Sequence, residues 1–144
     1  VTARPEAGDA VATLAVDRRV FVGDDDYSGL IFFNTYRRWM SEGDQQLFAV
    51  LGHPVWEDLA DGWGAPVVHS ELDCHVAARS GDELVQEVVL REARRTSFST
   101  THTFSRDGQI LATGTNVRVW VELATMAPRT APPWTRSASP PRRS

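Results

Sequence analysis

The hydrophobic period of this chain changes twice, and the order of those changes limits what it can fold into. From Leu14 to Val22 apolar side chains alternate, with Leu14, Val16, Val20 and Val22 set against Ala15, Asp17, Arg19 and Phe21. That period of two predicts a strand buried on one side. A polar turn follows, Gly23-Asp24-Asp25-Asp26-Tyr27-Ser28-Gly29. Tyr36, Trp39, Met40, Leu47, Val50 and Leu51 then recur at helical spacing, which puts Arg37, Arg38, Glu42, Asp44 and Gln45 on the opposite side. Gly52, His53 and Pro54 stop this helix. Gly43 inside it costs about 1 kcal/mol relative to alanine, which points to another element approaching closely there.

After a short amphipathic stretch, Val55 to Ala60, the period of two resumes. Strands are expected over Pro66–Ala77, Leu84–Ala93, Thr96–Ser105 and Ile110–Leu123, with Ser80-Gly81-Asp82 as a turn and Asp107-Gly108 as a tight hairpin. The order of strand, long helix and four strands predicts an α+β domain whose helix covers one face of an antiparallel five-stranded sheet. One helix cannot wrap both faces. The last strand carries apolar residues on both parities (Leu111, Val117, Val119 and Val121 against Ile110, Ala112 and Trp120), so a second copy is expected, as a homodimer or homotetramer.

Length and composition narrow the classes. A chain of 144 residues is one domain's worth. No apolar run approaches the roughly 18 residues of a membrane span, and the first twenty residues hold no signal-peptide pattern. The single cysteine, Cys74, excludes an internal disulfide framework and fits a reducing compartment, so a cytoplasmic location is expected. All 15 basic residues are arginine, and residues 124–144 hold four of them with no acid, which leaves the body more acidic than the overall charge of −4. An acidic body argues against nucleic acid as a partner. The same tail holds five of the eight prolines and few aliphatic residues, so 124–144 is expected to be disordered or loosely draped, with Trp134 the residue able to pin it. Residues 1–11 are expected to be flexible, leaving 12–123 as the folded domain.

The acidic turn is the most unusual local feature. Three consecutive carboxylates repel one another, while the free N–H groups and dipole of the helix that follows favour an ionised acid there. Such acids can simply cap a helix. Alternatively, one of them faces a pocket in which helix N–H groups receive a developing oxyanion. Spacing alone leaves both open. No P-loop, G-x-G-x-x-G, G-x-S-x-G or H-E-x-x-H pattern occurs, and no His–Asp pair is spaced for hydratase chemistry. His69, Glu71, Asp73 and His75 share one side of a strand, but ligands two apart on a strand lie roughly 6–7 Å apart along a line, so no metal site is expected. His102 is expected to be a satisfied core histidine. The hydroxyl row Ser97, Ser99, Thr101, Thr103 and Ser105 is expected to face water or an interface.

The stretch from Phe21 through Gly23-Asp24-Asp25-Asp26-Tyr27-Ser28-Gly29 to Asn34-Thr35-Tyr36 and Trp39 resembles the hotdog-fold acyl-CoA thioesterases of the 4-hydroxybenzoyl-CoA thioesterase type. Leu51-Gly52-His53-Pro54-Val55-Trp56 and Arg94-Arg95-Thr96-Ser97-Phe98 are similar to that family's later motifs, in one collinear order. The resemblance implies a hotdog fold, a sheet wrapped around a long central helix, with an active site between two subunits. It implies Asp26 as the catalytic carboxylate, the backbone N–H of Phe33 as oxyanion donor, and Gly29 as the point where the chain comes close to substrate. It implies Arg94 and Arg95, with Thr96 and Ser97, as the holders of the coenzyme A phosphates. Tyr27, Phe32, Tyr36 and Trp39 are then the expected acyl pocket, and with Phe33 and Trp56 nearby the acyl group is expected to be aromatic or of medium length. Tyr27 stands where the closest group carries proline, and no histidine occupies the Phe32-Phe33 run, so a histidine-assisted mechanism is not expected. The implied activity is hydrolysis of an acyl thioester to acid and thiol, with coenzyme A or phosphopantetheine entering only as part of the substrate and no other cofactor. The alternatives are a thioesterase acting on an acyl carrier protein, which the acidic body suits poorly, and a hotdog protein that binds an acyl ligand without turning it over.

Overall fold

The structure, a computed structural model, describes residues 9–136. Strand β1 (Ala10–Arg19) runs through the acidic loop into α1 (Phe33–Val50), which a short helix α2 (Val55–Ala60) follows. Next come β2 (Trp63–Gly64), β3 (Val67–Cys74), β4 (Glu83–Arg91), β5 (Ser97–Arg106) and β6 (Gln109–Val119). Two short strands, β7 (Val121–Glu122) and β8 (Ala127–Pro128), and a 3-10 turn at Pro133–Thr135 complete the described chain. The long strands form one antiparallel sheet in the order β1-β4-β5-β6-β3, and the short ones a small sheet β2-β7-β8. Helix α1 packs against the large sheet, which is the expected α+β hotdog arrangement.

The alternation that marks the strands is what buries them. On β5, Phe98, Thr100, His102 and Phe104 are buried while the hydroxyl row between them is half-exposed. The first strand stops earlier than its pattern predicts. Val20 turns its N–H to the Asp82 carbonyl and accepts from Gly81 N–H, so the chain leaves the ladder and Val22 ends up 90% exposed. Val50 is likewise exposed at the C-terminal turn of α1, while the next residue, Leu51, packs on the sheet-side cluster.

Two apolar clusters fill the space between helix and sheet. Val20, Ile31, Tyr36, Trp39, Met40, Leu84, Phe104 and Leu111 pack toward the N-terminal end of α1, and Leu47, Phe48, Val88, Leu90 and Phe98 toward its C-terminal end. A polar belt separates them, and every strand of the large sheet contributes to it. Arg18 Nε donates to Gln86 Oε1 (2.9 Å), and Gln86 Nε2 donates to His102 Nδ1 (2.9 Å) and to the Trp39 carbonyl (2.9 Å). That leaves the His102 proton on Nε2, which points at Asp44 Oδ1 (2.9 Å). Thr100 Oγ1 (2.5 Å), Asn116 Nδ2 (3.1 Å) and Arg118 Nε (2.8 Å) also donate to the Asp44 carboxylate. Ser70 Oγ on β3 donates to Asn116 Oδ1 (2.9 Å) and accepts from Arg37 (2.8 Å).

Asp44 therefore departs from its place on the polar side of the helix. It is fully buried and faces the sheet, because α1 turns inward a stripe that includes Met40, Gly43, Asp44 and Leu47. Gly43 is where the close approach occurs: a Cβ there would run into Gln86 Nε2 and lie 3.0 Å from Val88 Cγ2.

Of the expected loose tail, residues 124–136 are packed on the body, and residues 137–144 lie outside the described residues. Arg129 N–H donates to the Trp120 carbonyl and Ala131 N–H to that of Arg95, while the Thr135 carbonyl accepts from Ala93 N–H. Trp134 stacks on His53 (centroids 4.7 Å apart) and meets Phe48 and Phe98 edge-on. Such aromatic pairs are each worth about 0.5–1.5 kcal/mol beyond their buried area, which a count of aliphatic residues omits. At the other end, Ala10 and Val11 already belong to β1, and residues 1–8 lie outside the described residues.

Candidate active site

The acidic loop is built on Asp24. Its Oδ2 accepts from Phe21 N–H (3.0 Å), its Oδ1 from Arg38 (3.1 Å), and its carbonyl from Phe32 N–H and the Thr35 hydroxyl (2.9 Å each). These bonds fix the loop to the first turn of α1. Asp25 accepts from Gly23 N–H (3.0 Å) and from the Ser80 hydroxyl (3.2 Å), tying the loop to the β3–β4 connection. Of the three acids, Asp26 is the one among the residues that line a cleft.

That cleft, about 350 Å³, is lined by Asp26, Leu30, Ile31, Phe33, Tyr36 and the segment Cys74–Ala77 at the end of β3. The Asp26 carboxylate accepts from Ser28 N–H (2.8 Å) and from the Ser28 hydroxyl. Those two bonds, the hydroxyl's first, hold its pKa below the ordinary aspartate value. Gly29, at φ +79°, donates its N–H to the Asp26 carbonyl (3.1 Å), and Asp26 N–H donates to the Leu30 carbonyl (2.7 Å). The loop thus folds back on itself at the one residue free to adopt that φ. Phe33 is the first residue of α1, where no carbonyl a turn earlier in the helix is available to its N–H. The cleft therefore combines an ionised carboxylate with a helix N-terminus.

The other expected pocket residues divide. Phe33 and Tyr36 line the cleft, while the neighbouring Phe32 is partly exposed and contacts Phe33 edge-on at 4.8 Å. Tyr27 does not line it: its side chain is fully exposed. Trp39 is a core residue, 3% exposed, packed on Tyr36 and Phe104. Trp56 lies on α2 beside Arg18 and Glu42, away from the cleft. Arg94 and Arg95 do not begin a strand as expected. They sit in the β4–β5 connection, exposed, with Arg94 N–H donating to the Ser97 carbonyl (2.8 Å) and β5 starting only at Ser97. Arg94 and Ser97 line a separate depression of about 240 Å³. The Asp26 loop is bridged through Leu30 to Arg79, just before β4, and the arginines follow the end of β4, so the nine residues of that strand, roughly 30 Å, lie between them along the chain in one protomer.

Sequence reasoning missed three features. One is the His102–Asp44 pair, which is wholly buried in the belt and does not line the cleft, so it gives no hydratase centre. Another is the Tyr36 hydroxyl, buried without a hydrogen-bond partner among the described residues, with burial pushing its pKa up to about 12. The third is the tail-covered cavity described below. His69 and Glu71 contact each other (2.8 Å), and among the described residues no three potential metal ligands come together.

The likeness to known proteins agrees with this geometry. The chain is 28% identical over 116 residues to the 4-hydroxybenzoyl-CoA thioesterase of Pseudomonas sp. (strain CBS-3), covering 75% of this chain and 82% of that one. Its fold superposes on the gentisyl-coenzyme A thioesterase BH1999 with a TM-score of 0.78 at 27% identity, covering 84% of this chain and 98% of that one. It superposes on the 1,4-dihydroxy-2-naphthoyl-CoA thioesterase of Synechocystis with a TM-score of 0.80 at 21% identity over 85% and 92% of the two chains, which bears on fold alone. A family model described as the thioesterase-like superfamily matches residues 20–139. Strand order, acidic loop and matched span agree: the chain belongs to the thioesterase-like superfamily.

Proposed function

We propose that this protein hydrolyses acyl-CoA thioesters, with Asp26 as nucleophile and the Phe33 N–H as oxyanion donor. One observation carries the assignment: Asp26 is the loop carboxylate that lines a cleft together with the first residue of α1. Asp26 attacks the thioester carbonyl carbon, and the carbonyl oxygen gains negative charge that the Phe33 N–H receives. The C–S bond breaks, the thiolate leaves and takes a proton from water, and an acyl–Asp26 anhydride remains. Water then adds to the anhydride, one of its protons neutralising the hydroxide left by that transfer, which releases the acid and restores the carboxylate. The Ser28 bonds hold Asp26 in its ionised form, the form in which it attacks the thioester.

Leu30, Ile31, Phe33, Tyr36 and Val76 give the cleft an apolar wall that suits an aromatic or medium-length acyl group. The curated and structural relatives named above act on aromatic acyl-CoAs, which supports the aromatic choice. Arg94 and Arg95 would meet the coenzyme A phosphates only from a second copy. β3 is an edge strand whose Cys74 end borders the cleft and whose Val67 end lies beside Arg118 and Phe98, at the arginine end of the sheet. A two-fold axis between two β3 edges pairs them antiparallel, which carries the partner's arginine end toward the Asp26 cleft. A homodimer built this way completes the site.

The test is steady-state thiol release from a panel of aromatic and aliphatic acyl-CoAs. Wild type turns over many equivalents, and Asp26→Asn loses at least about a hundredfold in turnover while remaining a dimer in sedimentation. Near wild-type rates in that variant would refute the nucleophile, and a stoichiometric stop in wild type would indicate a binding protein.

A further inference from the structure

A second cavity, about 270 Å³, lies on the other side of the polar belt from Asp26, between α1, α2, the β2 region and the tail. Phe48, Val55, Leu59, Phe98, Leu123 and Trp134 make its wall apolar. Trp120, also on the wall, is stacked on Trp63 with centroids 6.0 Å apart and planes within 6°, which stiffens this side. An aliphatic cavity of about 150 Å³ takes a benzene ring, so this one has room for a ring or short chain with a polar head.

One cation enters that wall. Arg118, its side chain 12% exposed, donates from Nε to Asp44 (2.8 Å) and from Nη1 to the Ala65 carbonyl (2.7 Å). Its other terminal nitrogen has no hydrogen-bond partner among the described residues, so N–H donors remain for an occupant. Two fixed bonds hold the guanidinium in place, and an immobilised planar donor with a free edge suits a carboxylate oxygen. Asp58 is the one acidic side chain on the wall and forms no ion pair with Arg118, so it opposes an anion elsewhere in the cavity.

We propose that this cavity binds a free carboxylic acid with an apolar body, its carboxylate on Arg118, at a site distinct from the Asp26 cleft. The cavity and its cation stand without the proposed reaction. The choice of a carboxylic acid among hydrogen-bond acceptors rests on that reaction, which releases this class of product and so makes the site one for product feedback.

The probes are octanoate and 1-octanol, titrated by ligand-observed NMR into full-length Asp26→Asn protein, so that failure of the catalytic assignment does not touch the result. Octanoate is expected to bind more tightly than octanol. Leu59→Trp, on the exposed α2 wall, should weaken octanoate by about tenfold, with Val55→Phe as a second filling variant. Asp58→Asn should tighten octanoate and leave octanol unchanged. A soaked crystal should show the carboxylate within hydrogen-bond distance of Arg118. No binding at about 10 mM octanoate, binding confined to the Asp26 cleft, equal affinity for acid and alcohol, indifference to both filling variants, or a second copy covering the cavity would each overturn the proposal.

Discussion

Asp44→Ala removes the one acceptor on which the centre of the belt converges. Four donors point at that carboxylate: Thr100 Oγ1, His102 Nε2, Asn116 Nδ2 and Arg118 Nε, at 2.5–3.1 Å. Burial alone pushes the Asp44 pKa up and is the largest single influence, but His102, Arg118 and Thr100 together outweigh it and hold the pKa below the ordinary value. The carboxylate is therefore charged inside the protein, and deleting it leaves the Arg118 guanidinium, 12% exposed, uncompensated among buried groups. Breaking one side of a buried pair costs about 3–5 kcal/mol, a large share of a typical total of about 5–15 kcal/mol. Urea unfolding at neutral pH should show that loss as a lower midpoint with little change in slope. Removing both partners as Asp44→Leu with Arg118→Met should cost less than Asp44→Ala alone, because neither charge is then stranded. The pH dependence has a fixed sign. A carboxylate whose folded pKa lies below its unfolded value contributes stability that is present above about pH 4 and is lost as pH falls through the folded pKa. Asp44→Ala should accordingly flatten the acid side of the stability curve. A loss below about 1 kcal/mol, which is the worth of one ordinary neutral hydrogen bond, would refute the view that the belt is a charged, mutually satisfied network.

Three further outcomes follow from single contacts. Ser28→Ala removes the hydroxyl that contributes most to depressing the Asp26 pKa, so the acid limb of the pH–rate profile should move up toward the ordinary aspartate value of about 3.9; an unmoved limb would detach Asp26 from the rate. Gly43→Ala would stabilise an exposed helix by about 1 kcal/mol, yet here its methyl meets Gln86 and Val88, so thermal unfolding should show a net loss of about 1–3 kcal/mol. Tyr36→Phe deletes a buried hydroxyl that has no partner among the described residues, so calorimetry on ligand-free protein should find stability unchanged or up to about 1 kcal/mol higher.

The element order was legible because periodicity reports which face is buried, and both the long helix and the strands bury one face. Boundaries were less legible where a turn takes over the ladder. Val22 continues the alternation of β1, but Val20 already bonds to Gly81 and Asp82, partners far away in sequence that no local pattern encodes. The loop carboxylate could be singled out because the flanking motif carries a resemblance, whereas the division of labour among Asp24, Asp25 and Asp26 depends on partners such as Arg38 and Ser80 that only the fold brings near. Tyr27 and Trp39 fell on opposite errors of the same kind. Aromatic residues beside an acidic loop suggest a pocket, and chain direction alone decides that one points to water and the other to the core.

Asp44 is the most instructive miss, because helical spacing had the means to place it. It lies four residues after Met40 and three before Leu47, both fully buried, so geometry puts all three on one stripe. Its charge argued for the outer face, and that inference fails only when the facing strands supply donors. They do so at every strand: Arg18, Gln86, Thr100 with His102, Asn116 with Arg118, and Ser70. Each of these residues interrupts an otherwise apolar inward row, and each taken alone reads as a local blemish. Their common level becomes visible only once the strand registers are known, with Gln86 near His102 across β4–β5 and Asn116 opposite Thr100 across β5–β6. The belt then has a functional consequence for the layout of the molecule. By splitting the core it leaves one apolar chamber at the N-terminus of α1, beside the cleft that Asp26 lines, and another at its C-terminus, where Arg118 extends from the belt into the cavity wall. Asp44 bonds groups of the belt that lies between the two chambers, so a double-mutant cycle between Asp44→Asn and Leu59→Trp on octanoate inhibition of turnover would measure how far the belt couples them.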